Sequence, residues 1–128
     1  MAEYSTSEAL YTVLDATVAK MQEHEKFMSR IANANMSMTF VVTDLGAEYS
    51  MYFDHGAFRG EKGGGTSTTV GITLTSTTLD KLLSGKLSGE SAYMSGALRL
   101  RGDEWTAQSA AGYLWYIKSA YTEAAEAA

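Results

Sequence analysis

Apolar and polar residues alternate over two stretches in the first half of the chain. Residues 36, 38, 40 and 42 are apolar, and the same period of two recurs over residues 49–53. This period is typical of a strand with one buried face. A turn signal, Asp-Leu-Gly at residues 44–46, separates the two stretches and predicts an antiparallel hairpin. A short third strand is expected over residues 57–61, followed by a flexible glycine-rich loop over residues 61–69.

Both ends of the chain have the helical period of 3.6 residues. Apolar residues recur at this spacing from Leu10 to Ile31, which predicts an amphipathic N-terminal helix over about residues 7–30. A C-terminal helix is predicted over residues 103–125. This last helix carries aromatic side chains around more of its circumference than one apolar stripe needs: Tyr113, Trp115 and Tyr116. Such a surplus indicates a contact besides the sheet, whether a ligand, a membrane surface or a second subunit.

The middle of the chain changes its period twice. Alternation over residues 70–75 predicts a strand, and the leucines that follow have the i, i+3, i+4 spacing of a short helix. One of residues 76–78 is expected to cap this helix, with Asp80 in its first turn. A second short helix is predicted over residues 89–95, and a further strand over residues 98–101.

These elements predict an α+β domain with a single sheet covered on one face by helices, because every strand has one polar and one apolar face. The 128 residues suit one domain over residues 1–128, with the sheet and crossover at about 36–102 between the two long helices.

The run TLDKLLSGKLSGESAYMSGALRLRGD, residues 78–103, follows a threonine-rich strand. The order and spacing of its pieces resemble the lipid-binding domains of the sterol carrier protein 2 (SCP2) family. It extends from about residue 36 to residue 121, by pattern more than identity in its first half. One departure is Ala97, where many family members carry a lysine.

The resemblance implies a five-stranded mixed sheet with helices over one face and an apolar tunnel between helices and sheet. It also implies non-enzymatic binding and transfer of a sterol, fatty acid, fatty acyl-CoA or phospholipid. Arg99 and Arg101 alternate with inward-facing leucines, so we expect them to face outward and not to clamp a head group. The side chains that we expect to bind lipid are Phe40, Met51, Phe53, Leu74, Leu79, Leu82, Leu83, Tyr93, Met94, Leu98, Leu100, Trp105, Tyr113, Leu114 and Ile117.

Charge and composition exclude several other partners. The net charge of −5 and the scattered basic residues argue against nucleic acid or an anionic membrane as a partner. The chain has no cysteine, so disulfides and thiol chemistry are excluded. A polar start without a signal-peptide pattern, and the lack of a long apolar run, predict a cytoplasmic protein without stable membrane insertion.

Catalytic residues are hard to find in the sequence. The chain has two histidines, and neither belongs to a cluster with metal-ligand spacing. His55 follows Asp54, but adjacent residues on a strand point to opposite faces, so no acid–base pair is expected. We therefore predict no catalytic residue, no metal and no cofactor.

Two alternatives to a lipid carrier remain at this point. One is a protein-interaction or homodimerisation module that uses the aromatic C-terminal helix and binds no ligand. The other is a small enzyme that acts on an apolar substrate, for which the sequence offers no clear acid, base or nucleophile.

Overall fold

The computed structural model describes residues 3–128, apart from the side chain of Thr66. Within these residues the elements are, in chain order, α1 (Ser7–Gln22), α2 (Glu25–Arg30), β1 (Asn35–Val42), β2 (Ala47–Asp54), β3 (Ala57–Lys62), a 3-10 turn (Gly65–Ser67), β4 (Val70–Leu74), α3 (Ser76–Leu83), α4 (Gly89–Met94), β5 (Arg99–Arg101) and α5 (Glu104–Ala127).

The N-terminal segment, which we predicted as one helix over residues 7–30, is divided into α1 and α2. The imidazole of His24 causes the break, because its Nδ1 accepts a hydrogen bond from the backbone N–H of Phe27 at 3.1 Å and caps a new helix. The Phe27 ring is fully buried and lies edge-on to Phe58, with ring centroids 5.0 Å apart. Apolar periodicity does not reveal this break, because both helices continue the same apolar face.

Five strands of the described chain form one mixed sheet in the order β3-β2-β1-β4-β5. β1 pairs antiparallel with β2 and parallel with β4, so that Met38 lies opposite both Met51 and Val70. β5 pairs antiparallel with β4 and forms the edge of the sheet. The predicted five-stranded mixed sheet and the predicted hairpin are confirmed.

The two faces of the sheet are covered differently. Met38 and Phe40 are fully buried on the face that α1, α3 and α5 cover. On the other face, the glycine-rich connection after β3 packs onto a buried hydroxyl cluster. Thr39 Oγ1 lies 2.7 Å from Ser50 Oγ and 2.6 Å from Thr68 Oγ1. The loop that we predicted as flexible is therefore hydrogen-bonded to the sheet it crosses.

The crossover from β4 to β5 consists of α3 and α4. Thr75, one residue earlier than we predicted, caps α3 by accepting a hydrogen bond from the backbone N–H of Thr78. We had placed Asp80 in the first turn of α3. It consequently lies beyond that turn, and its side chain is buried. The carboxylate of Asp44 also accepts the backbone N–H of Ser76, at 2.8 Å. α3 is thus fixed to the turn of the first hairpin.

α5 is anchored along its second half. Ile117, Tyr121 and Ala124 are buried there, and the helix packs on α1 and α3. It continues to Ala127, two residues beyond the predicted end. In residues 3–128, none of the helices combines the length and the apolar character needed to cross a bilayer.

Candidate functional site

A pocket of about 420 Å³ lies between the first half of α5, α4 and the β4–β5 edge of the sheet. This volume falls within the roughly 300–1,000 Å³ that is usual for small-molecule sites. The lining residues are Ile72, Leu82, Gly89, Glu90, Tyr93, Leu98, Leu100, Glu104, Ala107, Gln108, Ala110, Ala111 and Leu114.

The floor of the pocket is the inner face of the last two strands. Ile72 of β4 lies directly opposite Leu100 of β5. Leu98 and Leu100 point to the same side, because residues two apart on an extended chain share a face. Ile72 and Leu98 are buried and Leu100 is half-buried, so the floor is apolar but incompletely covered.

The roof of the pocket is a stripe of small residues along α5. Ala107, Ala110, Ala111 and Leu114 have the i, i+3, i+4, i+7 spacing of one helix face. Three of these four side chains end at Cβ, so the helix stands over the sheet without filling the space beneath it. The short side chains of this stripe therefore leave room for the pocket.

The polar residues of the lining lie where the pocket meets the surface. Glu90, Glu104 and Gln108 are exposed, and Tyr93 beside them is 48% exposed. An apolar interior with a few polar groups at one end suits an amphiphilic ligand, because the polar end of such a ligand stays near water.

The structure brings five of the fifteen predicted side chains together around the pocket: Leu82, Tyr93, Leu98, Leu100 and Leu114. Seven others are buried and lie outside the lining: Phe40, Met51, Phe53, Leu74, Leu79, Leu83 and Ile117. Tyr113 is half-buried and stacks on Phe53, with centroids 4.9 Å apart. Met94 and Trp105 are exposed and also lie outside the lining.

Sequence reasoning missed eight lining residues: Ile72, Gly89, Glu90, Glu104, Ala107, Gln108, Ala110 and Ala111. The alanine stripe was a usable signal, because small residues at helical spacing opposite an apolar strand leave space between the two elements. Ile72 was another, since it shares the inward face of its strand with Leu74.

An imidazole–carboxylate pair lies away from the pocket. His55 Nδ1 is 2.9 Å from Asp54 Oδ1, so our expectation that these side chains point to opposite faces is wrong. The reason is that His55 lies in the turn after β2 with a φ of 49°, where strand alternation no longer applies. Both side chains are largely exposed and neither lines the pocket.

The start of α5 at the pocket is capped from within the chain. Asp103 accepts hydrogen bonds from the backbone N–H and the hydroxyl of Thr106, each at 2.8 Å. These bonds, the backbone one first, lower the pKa of Asp103 below its ordinary value. One backbone N–H at the N-terminus of the helix is therefore already paired with a carboxylate.

A mixed sheet with an apolar pocket between its edge strand and a long terminal helix is the architecture of a small ligand-binding domain. The chain matches the SCP-2 sterol transfer family over residues 17–114. This match covers more than half of the chain, and the chain belongs to that family, whose members are lipid-transfer domains. No curated protein matches the chain in sequence.

Solved structures of similar size have the same fold. A conserved hypothetical protein from Thermus thermophilus is 21% identical, with a TM-score of 0.73 over 98% of this chain and 92% of that one. A crystal structure of sterol carrier protein 2 is 22% identical, with a TM-score of 0.64 over 87% of this chain and 92% of that one. At these identities the likeness shows the fold alone.

The fold also occurs within a larger enzyme. An inverting sec-alkylsulfatase from Pseudomonas sp. is 23% identical, with a TM-score of 0.60 over 67% of this chain. The chain spans only 14% of the length of that enzyme. The likeness therefore concerns one part of the sulfatase.

Proposed function

We propose that this protein binds a lipid in the pocket beneath the first half of α5 and transfers it without chemical change. The observation that carries the proposal is the pocket itself, an apolar hollow of about 420 Å³ in a chain of a sterol transfer family. The candidate ligands are those of the resemblance: a sterol, a fatty acid, a fatty acyl-CoA or a phospholipid.

The apolar lining supplies the main favourable free energy of binding, because the pocket offers no cationic anchor among residues 3–128. Each buried methylene contributes about 0.8 kcal/mol, so a chain of ten carbons gains about 8 kcal/mol before costs. Association costs about 4–15 kcal/mol in lost freedom. The gain exceeds only the lower part of that cost, so the expected affinity for a ten-carbon chain is weak, and it rises with each further methylene that is buried.

Blocking the pocket tests the proposal. We expect Ala107→Trp to fill the space between α5 and Leu98 and to abolish binding of an uncharged fluorescent lipid probe. Ala107 is half-buried, so the indole can replace the ligand without disturbing the main core. The matched control is Ala19→Trp on the exposed face of α1, which should bind like the parent.

The readout separates the proposal from a general loss of structure. Both variants should keep the circular dichroism spectrum of the parent. Native mass spectrometry of each protein purified from cells should find a lipid-sized adduct on the parent and on Ala19→Trp only. Equal binding by a folded Ala107→Trp protein would exclude this pocket.

A second candidate function is self-association through α5. Trp105 is 80% exposed and Trp115 is 64% exposed, so α5 carries two large apolar side chains that a second copy could cover. Light scattering after size exclusion, on the parent and on Trp105→Gln with Trp115→Gln, tests this function. A dimer that the double substitution converts to a monomer would support it, and a monomeric parent would exclude it.

A further inference from the structure

The mouth of the pocket carries negative charge. Its polar residues are Glu90 and Tyr93 of α4, and Glu104 and Gln108 in the first two turns of α5. A glutamate carboxylate is ionised at neutral pH and only accepts hydrogen bonds, whereas the glutamine amide both donates and accepts. No lysine, arginine or histidine is among the residues that line the pocket in the described chain.

The nearest arginines along the sequence face away from the pocket. Arg99 and Arg101 alternate with the floor residues Leu98 and Leu100, so they lie on the opposite side of β5. Arg101 is also engaged there, because its guanidinium donates a hydrogen bond to the backbone carbonyl of Thr68 at 2.9 Å. Neither arginine offsets the two glutamates.

Two other sources of positive potential belong to α5, and neither is a side chain of the lining. Lys118 lies farther along α5, with its Nζ 4.7 Å from the centroid of the Trp115 ring. The positive end of the α5 dipole is capped by the Asp103 carboxylate, which accepts both hydrogen bonds that Thr106 offers. Among the described residues, the charged side chains that line the pocket are therefore Glu90 and Glu104.

We propose that the pocket selects amphiphiles whose polar end donates hydrogen bonds and carries no negative charge, namely long-chain amines and alcohols. The inference rests on the proposed function: of the ligands named there it favours the sterol, an alcohol, over the three that carry a carboxylate or phosphate, and it adds long-chain amines. A carboxylate or phosphate head group would meet two like charges at the mouth and find only neutral donors among the described lining residues, the hydroxyl of Tyr93 and the amide of Gln108. An ammonium group would be attracted by both glutamates, and a hydroxyl group would donate to one of them.

Three ligands with the same chain and different head groups test the selectivity: decylamine, 1-decanol and decanoate at neutral pH and low ionic strength. Competition with an uncharged fluorescent probe gives the three affinities. We expect decylamine to bind about tenfold or more tightly than decanoate, with 1-decanol between them. Because both charges are exposed to solvent, the difference between amine and carboxylate should shrink as salt is added.

A double substitution assigns the effect to the mouth. In Glu90→Gln with Glu104→Gln, we expect decylamine and decanoate to differ by no more than about twofold, while 1-decanol keeps its parental affinity. The control is Glu23→Gln with Glu126→Gln, which changes the net charge equally at exposed positions outside the lining. This control should keep the parental order of the three ligands.

The possible failures point to different errors. If none of the three decyl compounds binds the parent, the pocket is not a lipid site and the proposed function fails together with this inference. If all three bind and decanoate equals or exceeds decylamine, only the selectivity is wrong. A preference for decylamine that both double variants retain would also overturn the role of Glu90 and Glu104.

Discussion

The hydroxyl of Tyr121 donates a hydrogen bond to the carboxylate of Asp80, with 2.7 Å between Oη and Oδ1. Both side chains are buried where α5 packs on α3. The hydroxyl of Tyr4 lies 2.6 Å from Tyr121 Oη and must donate to it, because the hydrogen of Tyr121 is already used. Three segments distant in sequence thus meet at one buried carboxylate. Burial above all raises the pKa of Tyr121, so this phenol remains a donor at every physiological pH.

Removing the Tyr121 hydroxyl should cost far more stability than removing that of Tyr4. Asp80 Oδ2 has no hydrogen-bond partner within residues 3–128, so Tyr121→Phe would leave the buried carboxylate without a side-chain donor. We expect a loss of about 2–3 kcal/mol in the free energy of unfolding, measured by urea denaturation. Tyr4→Phe, which leaves the bond to Asp80 intact, should lose about 1 kcal/mol or less. Equal small losses would contradict this account of the network.

Acid should weaken the attachment of α3 to the first hairpin. The hydroxyl of Ser76, with its backbone N–H, holds the pKa of Asp44 below its ordinary value of 3.8. Because the pKa is lower in the folded state, this contribution to stability is present above that ordinary value and is lost as the pH falls through the folded pKa. Asp44→Asn, which resembles the protonated acid, should have a lower melting temperature than the parent at pH 7.

The same comparison at about pH 2 extends the test, because the Asp44 carboxylate of the parent becomes increasingly protonated, and so more like asparagine, as the pH falls. We expect the difference in melting temperature between the parent and Asp44→Asn to become much smaller there. The exposed residue Glu126 supplies the control, since Glu126→Gln should melt like the parent at pH 7. A difference between parent and Asp44→Asn that is as large at pH 2 as at pH 7 would contradict the prediction.

Alanine substitutions at two glycines should change the free energy of unfolding in opposite directions. Gly112 lies inside α5 with no atom within 4 Å of where a Cβ would be, so Gly112→Ala should add about 0.5–1 kcal/mol to the free energy of unfolding. A Cβ at Gly60 would lie 2.8 Å from Val18 Cγ2 and closer still to Tyr49 Oη. Gly60→Ala should therefore cost about 1–3 kcal/mol. Urea denaturation measures both changes, and a destabilising Gly112→Ala would mean that α5 needs a flexible point there.

The sheet could be predicted because its signal is local. A period of two over residues 36–42 and 49–53 marks strands with one buried face, and the short turn between them leaves one pairing. The break between α1 and α2 could not be predicted, because it depends on the His24 imidazole reaching a backbone N–H while the apolar face continues unchanged. Local hydrogen bonds of this kind leave no mark in hydrophobic periodicity.

The pocket was harder to predict because a hollow is defined by missing volume. Inward-facing residues such as Phe40 and Met51 look the same in sequence whether they fill a core or line a cavity, and here they are buried outside the lining. Leu98, Leu100 and Leu114 line the pocket and were expected to face inward. The empty space itself is due to the alanines of α5 that face the sheet. Apolar character indicates that a residue is buried. Whether a cavity remains beside it depends on the size of the side chains that face it from the neighbouring element.

The most direct test of the account is a titration of isotope-labelled protein with 1-decanol, followed by backbone amide chemical shifts. We expect the changes to be concentrated at Leu98 and Leu100, at Gly89 and Glu90, and along residues 104–114, while β2 and β3 stay unchanged. Saturation at one equivalent would give the affinity of the pocket. Chemical-shift changes centred elsewhere would contradict a lipid site beneath α5. So would the absence of changes at 1-decanol concentrations that fully displace a fluorescent probe.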